Sequence, residues 1–429
     1  MVGMRCPALL ALAAIVVAQA EVRTLTLKEA ADLAARQSPE VLLARLDEQR
    51  AAAAAQAARD PFVPKMFVGS GLAYTSGFPM SIEGSAPSIV QARAVSSLYN
   101  KPQKLAASQA REQARGAQIA TQEQRDSAVG RVVSTFLDAE RRGRLVELAR
   151  RQVESSEKVH SLVALRVQEG RELPLEGKRA TLDLAKARQR LLAFEADREA
   201  AESTVAFLLG LPPGGRVRPA GEERQLPELP QSSEAAVEEA LRENREIKRL
   251  ESALLAKGFE TQARRAERYP VLDLVAQYGL FARFNNYEDF FRRFQRHNGQ
   301  LGVSIQLPLL FGPGRTGRIG VAESEAARLR LQINHVRGRV SLDTEKQFLE
   351  LQKAESARQV NRLELELARE TLAVQLARFD EGRASLRQVE EARQGEQEKW
   401  MAYYDAVTQA EAARYALLES TGRLMAALR

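Results

Sequence analysis

The sequence predicts a mainly α-helical fold carrying strands of a membrane β-barrel, made twice from one unit of helix, strand, strand, long helix and helix. Three observations predict it: an N-terminus laid out as an export signal, a repeat covering nearly all of the remaining chain, and two alternating segments at the same place in each copy.

Charged residues make up 28% of the 429 positions and aromatic residues only 6%, and long Ala/Leu/Arg/Glu/Gln stretches favour helix while leaving little bulk for one thick core. Extended helical packing is expected rather than a compact enzyme. Arg5, an apolar run from Ala8 to Val17 and Ala18-Gln19-Ala20 ahead of Glu21 predict a cleaved signal over residues 1–20. The sole cysteine, Cys6, precedes the apolar run, so neither a lipid anchor nor a disulfide is expected. Without Arg5, 62 of the 63 basic residues face 56 acidic ones, about +6 and dispersed in sign along helices. Nucleic acid is not an expected partner, because no concentrated basic face with stacking aromatics is present. No later apolar run reaches the roughly 20 residues of a spanning helix. A chain of this kind enters a membrane as strands.

The repeat is read directly from the residues. "SPEVLLARLDEQRAAAAAQAARDPFVPKMFVGSG" pairs with "NREIKRLESALLAKGFETQARRAERYPVLDLVAQYG", and Pro64 falls 206 positions before Pro270. Further on, Tyr99 meets Phe311, Phe136 meets Phe348, Gly170 meets Gly382 and Gly210 meets Gly422, all 212 apart. The first unit is expected over 21–211 and the second over 232–429, joined by a Pro/Gly-rich connector at 212–231 that cannot be continuous helix. Long helices are expected at about 102–168 and 315–380, roughly 100 Å each at 1.5 Å per residue. Shorter ones are expected at about Leu27 to Arg59 and Leu173 to Leu209.

Strands are expected at about 65–75, 89–99, 271–281 and 300–308. In the second unit, Leu272, Leu274, Ala276, Tyr278 and Leu280 alternate with Asp273, Val275, Gln277 and Gly279, and Leu301, Val303, Ile305 and Leu307 alternate with Gln300, Gly302, Ser304 and Gln306. Apolar-out, polar-in alternation over about ten residues is how a tilted strand crosses a bilayer. The loop between them, "FARFNNYEDFFRRFQRHN", concentrates aromatics suited to a membrane interface. In the first unit Met66, Val68, Leu72 and Tyr74 take the outer positions, but Arg93 stands where Ile305 would be, which calls for a bulge or a shifted register.

On the second long helix Val360, Leu367 and Val374 form one heptad stripe and Leu365, Leu372 and Phe379 another, about 140° apart at 100° per residue. Two stripes require a neighbour on each side, as in a curved helical wall. Four strands cannot enclose a pore, since known barrels start at about eight, so closure needs several chains in cyclic symmetry.

With these residues the chain resembles the TolC-like outer-membrane efflux family. The resemblance spans about residues 24–424: "TLTLKEAADLAARQSPEV", "FLLGLPPG", the Gly-Arg turns in "RVQEGRELPLEGKRA" and "RFDEGRASLRQVEEAR", and the duplication. It implies a homotrimer in which three chains close a twelve-stranded barrel in outer-membrane lipid, continued by a helical tunnel across the periplasm of a Gram-negative-type envelope. It further implies an exit duct of a tripartite efflux or type I secretion system. A periplasmic adaptor, and through it an inner-membrane pump, would dock at the turns of Gly170 and Gly382, where Arg171 and Arg383 display positive charge that reads either as an adaptor contact or as a solvated turn charge. Family members close this tip with carboxylates six and nine residues after the second glycine, positions held here by Gln388 and Glu391, with Glu176 the matching acid of the first unit. A locking tyrosine and arginine would fall at Phe379 and Ala384, so that part of the pattern is not kept. For Glu391 the residues leave two readings open: a ring of converging acids, or an ion pair with Arg387 on its own helix.

Catalysis finds no constellation. His160, His297 and His335 are scattered, no phosphate-binding loop is present, and neither a cofactor nor a metal is expected. The alternative from another class is an exported, soluble coiled-coil chaperone or scaffold, which leaves the matched alternating segments unexplained.

Overall fold

The computed structural model describes residues 22–71, 88–221, 224, 228–281, 292, 295–309 and 312–428. The expected signal, the end of the first strand at 72–75 and most of the aromatic loop lie outside the described residues. The chain divides into two compact units: residues 1–42, 124–242 and 341–429 form the first, and 43–123 and 243–340 the second. Each takes segments from both repeats.

In the first unit, strand β1 (Val22–Leu25) is followed by helix α1 (Leu27–Gln37). Thr26 caps α1 reciprocally with Glu29: the Glu29 N–H donates to Thr26 Oγ1 at 3.2 Å and the Thr26 N–H to Glu29 Oε2 at 2.9 Å. Leu27, Ala30, Ala31 and Ala34, spaced as one helical face, are buried against Val129, Val132, Val133 and Phe136 of α3 (Lys101–Gln168). Ala201, Val205 and Leu209, on and just after α4 (Pro174–Leu208), complete that core with Tyr415 and Leu418 of α8 (Leu386–Ser420). A second cluster repeats the arrangement: Ala236 of α5 (Ser233–Glu243), Leu351 of α7 (Gly314–Asp380) and Leu417 of α8, with Phe348 against them. Ala30 and Ala236, like Phe136 and Phe348, are repeat mates. The connector contains strand β4 (Arg216–Pro219), which pairs in parallel with β1 and was not anticipated from the sequence. After α8, the short helix α9 (Leu424–Ala427) buries Leu424.

The expected single helix from Leu27 to Arg59 is two helices. Pro39 denies Ser38 the helical conformation (φ −52°, ψ 132°), so α1 stops and α2 (Pro39–Ala57) begins afresh. In the second copy Asn244 makes the same break (φ −56°, ψ 122°) before α6 (Arg245–Ala266), its side chain accepting from the Ile247 N–H at 3.0 Å.

In the second unit a four-stranded antiparallel sheet has the order β2-β3-β5-β6: β2 (Lys65–Gly71), β3 (Ser88–Tyr99), β5 (Val271–Phe281) and β6 (His297–Gln306). β6 begins earlier than the alternation placed it, because His297 and Asn298 pair with Leu280 and Gly279, and Tyr278 Oη lies 2.7 Å from His297 Nδ1. Below the sheet α6 lies between the two long helices of this unit. Ser252 Oγ donates to the Glu112 carbonyl of α3 at 3.0 Å, while Lys257 and Arg337 form ion pairs across to α7 and α6, with Glu325 and Glu251.

The two stripes of α7 are not equivalent within one chain. Leu365 is buried (5% exposed), whereas Val360, Leu367 and Val374 are 52%, 66% and 49% exposed. Among the described residues one stripe is at least partly covered and the other is exposed.

Candidate functional site

The turns ending the two long helices, in the first unit, share one geometry. Gly170 and Gly382 have φ of 71° and 72°, a left-handed conformation that a β-carbon disfavours. In the first turn the Arg171 N–H donates to the Arg166 carbonyl at 2.8 Å and the Gly170 N–H to Val167 at 3.1 Å. In the second the Arg383 N–H donates to Arg378 at 2.7 Å and the Gly382 N–H to Phe379 at 2.9 Å. Both are Schellman endings, in which the residue after the glycine bonds back to the last turn. The recurring Glu-Gly-Arg is therefore helix punctuation. The side chains of Arg171 and Arg383 are 77% and 78% exposed, held at 3.3 and 3.1 Å from Glu169 and Glu381.

Each reversal is followed at once by a new helix. Pro174 sits at the first position of α4, where its missing N–H costs nothing. Ser385 caps α8: its N–H donates to Gln388 Oε1 at 2.8 Å, and the Gln388 N–H donates to Ser385 Oγ at 3.4 Å. Gln388, singled out as a tip residue, is thus engaged as a capping partner. Arg387 Nε donates to Glu391 Oε1 at 2.8 Å, so within one chain the intrahelical pair forms, and Glu391 holds the Arg387 guanidinium above its usual pKa. Glu176 pairs with Arg179. The Phe379 ring, in place of the family's tyrosine, has the Arg166 guanidinium 6.0 Å from its centroid.

Glu390 was not foreseen. Burial pushes its carboxyl above the usual range and nearby Asp183 adds to the shift, while Arg393, 2.9 Å away, opposes it. Its signal in the sequence was only a second acid beside Glu391. Farther along α8, Trp400 Nε1 donates to Glu396 Oε1 at 3.2 Å, and the Arg369 guanidinium lies 5.9 Å from its ring. Among the described residues no three His, Cys, Asp or Glu side chains converge as metal ligands.

In the second unit the sheet has one apolar and one polar face. Leu272, Leu274, Ala276 and Tyr278 pair with Ile305, Val303, Leu301 and Gly299 on one side, and Asp273, Gln277 and Gly279 pair with Ser304, Gln300 and Asn298 on the other. Arg93 pairs with Gln277, which places it on the polar face. The mismatch with Ile305 disappears because the β3 register shifts between Ser97 and Tyr99, turning Val90 to Ser97 to the opposite side. β2 and β6 are edges of this sheet, open to further strands.

The model of the outer membrane efflux protein family matches residues 30–211 and 236–423. The chain belongs to that family. Solved structures agree in fold. CusC, described for its folding and transmembrane channel formation, superposes with a TM-score of 0.76 at 14% identity over 92% of each chain. VceC of Vibrio cholerae gives 0.74 at 16% over 92% of this chain and 96% of its own. The open MtrE channel of Neisseria gonorrhoeae gives 0.73 at 16% over 93% and 89%. Among curated proteins no relative matches in sequence. This outer membrane efflux protein has the family's trimeric channel fold, a β-barrel with a tunnel of long helices, and acts as an outer-membrane efflux channel with a periplasmic extension. The soluble chaperone alternative gains no support.

Proposed function

We propose that this efflux protein is the passive exit duct of a tripartite efflux pump or type I secretion system, receiving its cargo through a periplasmic adaptor that links it to an inner-membrane pump. The supporting observation is the matched pair of turns. Gly170-Arg171 and Gly382-Arg383 present two outward guanidiniums from identical backbone frames, each only lightly held by its neighbouring glutamate. A partner with acidic or carbonyl groups at the same spacing meets both. The chain supplies no chemistry of its own, and the driving energy comes from the partner.

At the same end, Glu391 with Gln388 and Glu176 forms the constriction of the assembled trimer. Three Glu391 carboxylates on one axis attract cations, and each is tempered by its Arg387.

Charge reversal at both turns tests the docking. Arg171→Glu with Arg383→Glu should abolish co-purification with the adaptor encoded for the same export system, while trimer mass and bilayer conductance stay as in wild type. Undiminished adaptor capture by the double variant would remove the turns from docking.

A further inference from the structure

The polar face of the sheet carries rows of residues that stand side by side across all four strands. Lys65, Val95, Val275 and Gly302 form one row, and Gly69, Gln91, Gly279 and Asn298 another. Between them runs Phe67, Arg93, Gln277 and Gln300. Every member of this middle row has a long or bulky side chain, whereas its neighbours include three glycines and two valines. Lys65, Gln91 and Asn298 are longer neighbours, but Phe67, Gln277 and Gln300 each stand beside a glycine about 6.6 Å along the strand, so the row projects there as a ledge.

The ledge is charged. Arg93 makes no hydrogen bond or ion pair among the described residues, and it is exposed. Among the described strand residues the other cation on this face, Lys65, is neutralised by Asp60. The nearest acid on the face, Asp273, lies four residues along β5 from Gln277, about 13 Å at 3.3 Å per residue and beyond the roughly 8 Å screening length of physiological salt. Phe67 is directly paired with Arg93 and is 61% exposed, an aromatic ring on the polar side of a strand. Neither lipid nor core accounts for it there.

We propose that Phe67, Arg93, Gln277 and Gln300 form a collar inside the barrel that binds organic anions bearing a planar ring as they leave. The proposal rests on the channel assignment, in which the polar face of the sheet lines the lumen. Three chains bring three guanidiniums to one level, a ring of the kind that favours anions in a pore. The guanidinium takes the anionic group in a charge-assisted bond, the two amides donate beside it, and the Phe67 ring covers the planar part.

The test is block of the purified trimer in planar bilayers by pyrenetetrasulfonate added on the barrel side, with the reversal potential measured in a KCl gradient. Arg93→Gln should raise the half-blocking concentration at least about tenfold and move the reversal potential towards cation preference, with Arg93→Glu moving it further. Arg93→Lys should retain the salt preference, and Phe67→Ala should weaken the block while leaving the reversal potential in place. Variants that conduct with wild-type block and wild-type reversal potential overturn the collar. Absence of conductance in the wild-type trimer overturns instead the channel assignment beneath it.

Discussion

Glu419 lays its carboxylate over Gly130, where a β-carbon would have to push it aside. Burial, reinforced by Asp126 and opposed by Arg131, pushes the pKa of Glu419 from 4.5 up to about 6. The folded chain thus holds this proton more tightly than the unfolded one. The associated stability is complete below about pH 4.5 and is lost as pH rises through about 6. Glu419→Gln should flatten that decline and leave the protein more stable at neutral pH, by no more than about 1 kcal/mol because the group is partly open to solvent. Melting curves between the two pH limits read the effect; parallel wild-type and variant profiles would contradict it. Gly130→Ala displaces only the far end of the flexible Glu419 side chain and should cost little stability.

Glycine matters differently at Gly170 and Gly210. Both have φ of 71°, but a β-carbon at Gly170 would meet nothing, whereas at Gly210 it would meet the Gln37 carbonyl and Pro39 Cδ at 3.1 Å. Gly170→Ala should cost the left-handed penalty alone, about 1–2 kcal/mol, and Gly210→Ala noticeably more. Equal shifts in melting temperature would show that the α1–α2 break yields to accommodate the methyl group.

At the tip, Arg387 and Glu391 should have opposite effects on ion flow. Glu391→Gln is expected to weaken cation preference or raise conductance, while Arg387→Gln, which frees the carboxylate, should strengthen cation preference. Selectivity unchanged in both variants would take this pair out of the constriction.

Ser385 and Gln388 predict a local effect. Ser385→Ala removes the cap of α8 and should cost about 1 kcal/mol, seen as faster amide exchange over the first turn of that helix. Gln388→Glu preserves the reciprocal bond and adds a charge favoured at a helix start, so exchange there should slow or stay unchanged.

What the sequence showed about the fold depended on periodicity. Long uninterrupted patterns marked α3 and α7, and alternation marked β5, because those signals average over many residues. Ser38 and Asn244 escaped notice because one residue breaks a helix without disturbing its hydrophobic pattern, although Pro39 was a usable warning. The β1–β4 pair escaped because a parallel partner nearly 200 residues away leaves no local trace. Arg93 looked misplaced for a related reason: a bulge moves parity, and composition does not record parity. At the tip the glycines were legible as turns and the Arg387–Glu391 pair as one of two readings, whereas the partners of Gln388 and Glu390 depend on rotamers and on neighbouring helices.

Trp400 is the chain's only tryptophan, and it lies in the first unit beside Glu396 and Arg369. Excited at long ultraviolet wavelengths, the protein therefore carries one lamp per chain, and that lamp does not illuminate the sheet. A denaturation followed by emission reports the loosening of α7 and α8, while the strands dissolve or persist unseen. Comparing that trace with far-ultraviolet dichroism separates the two melting events without any label.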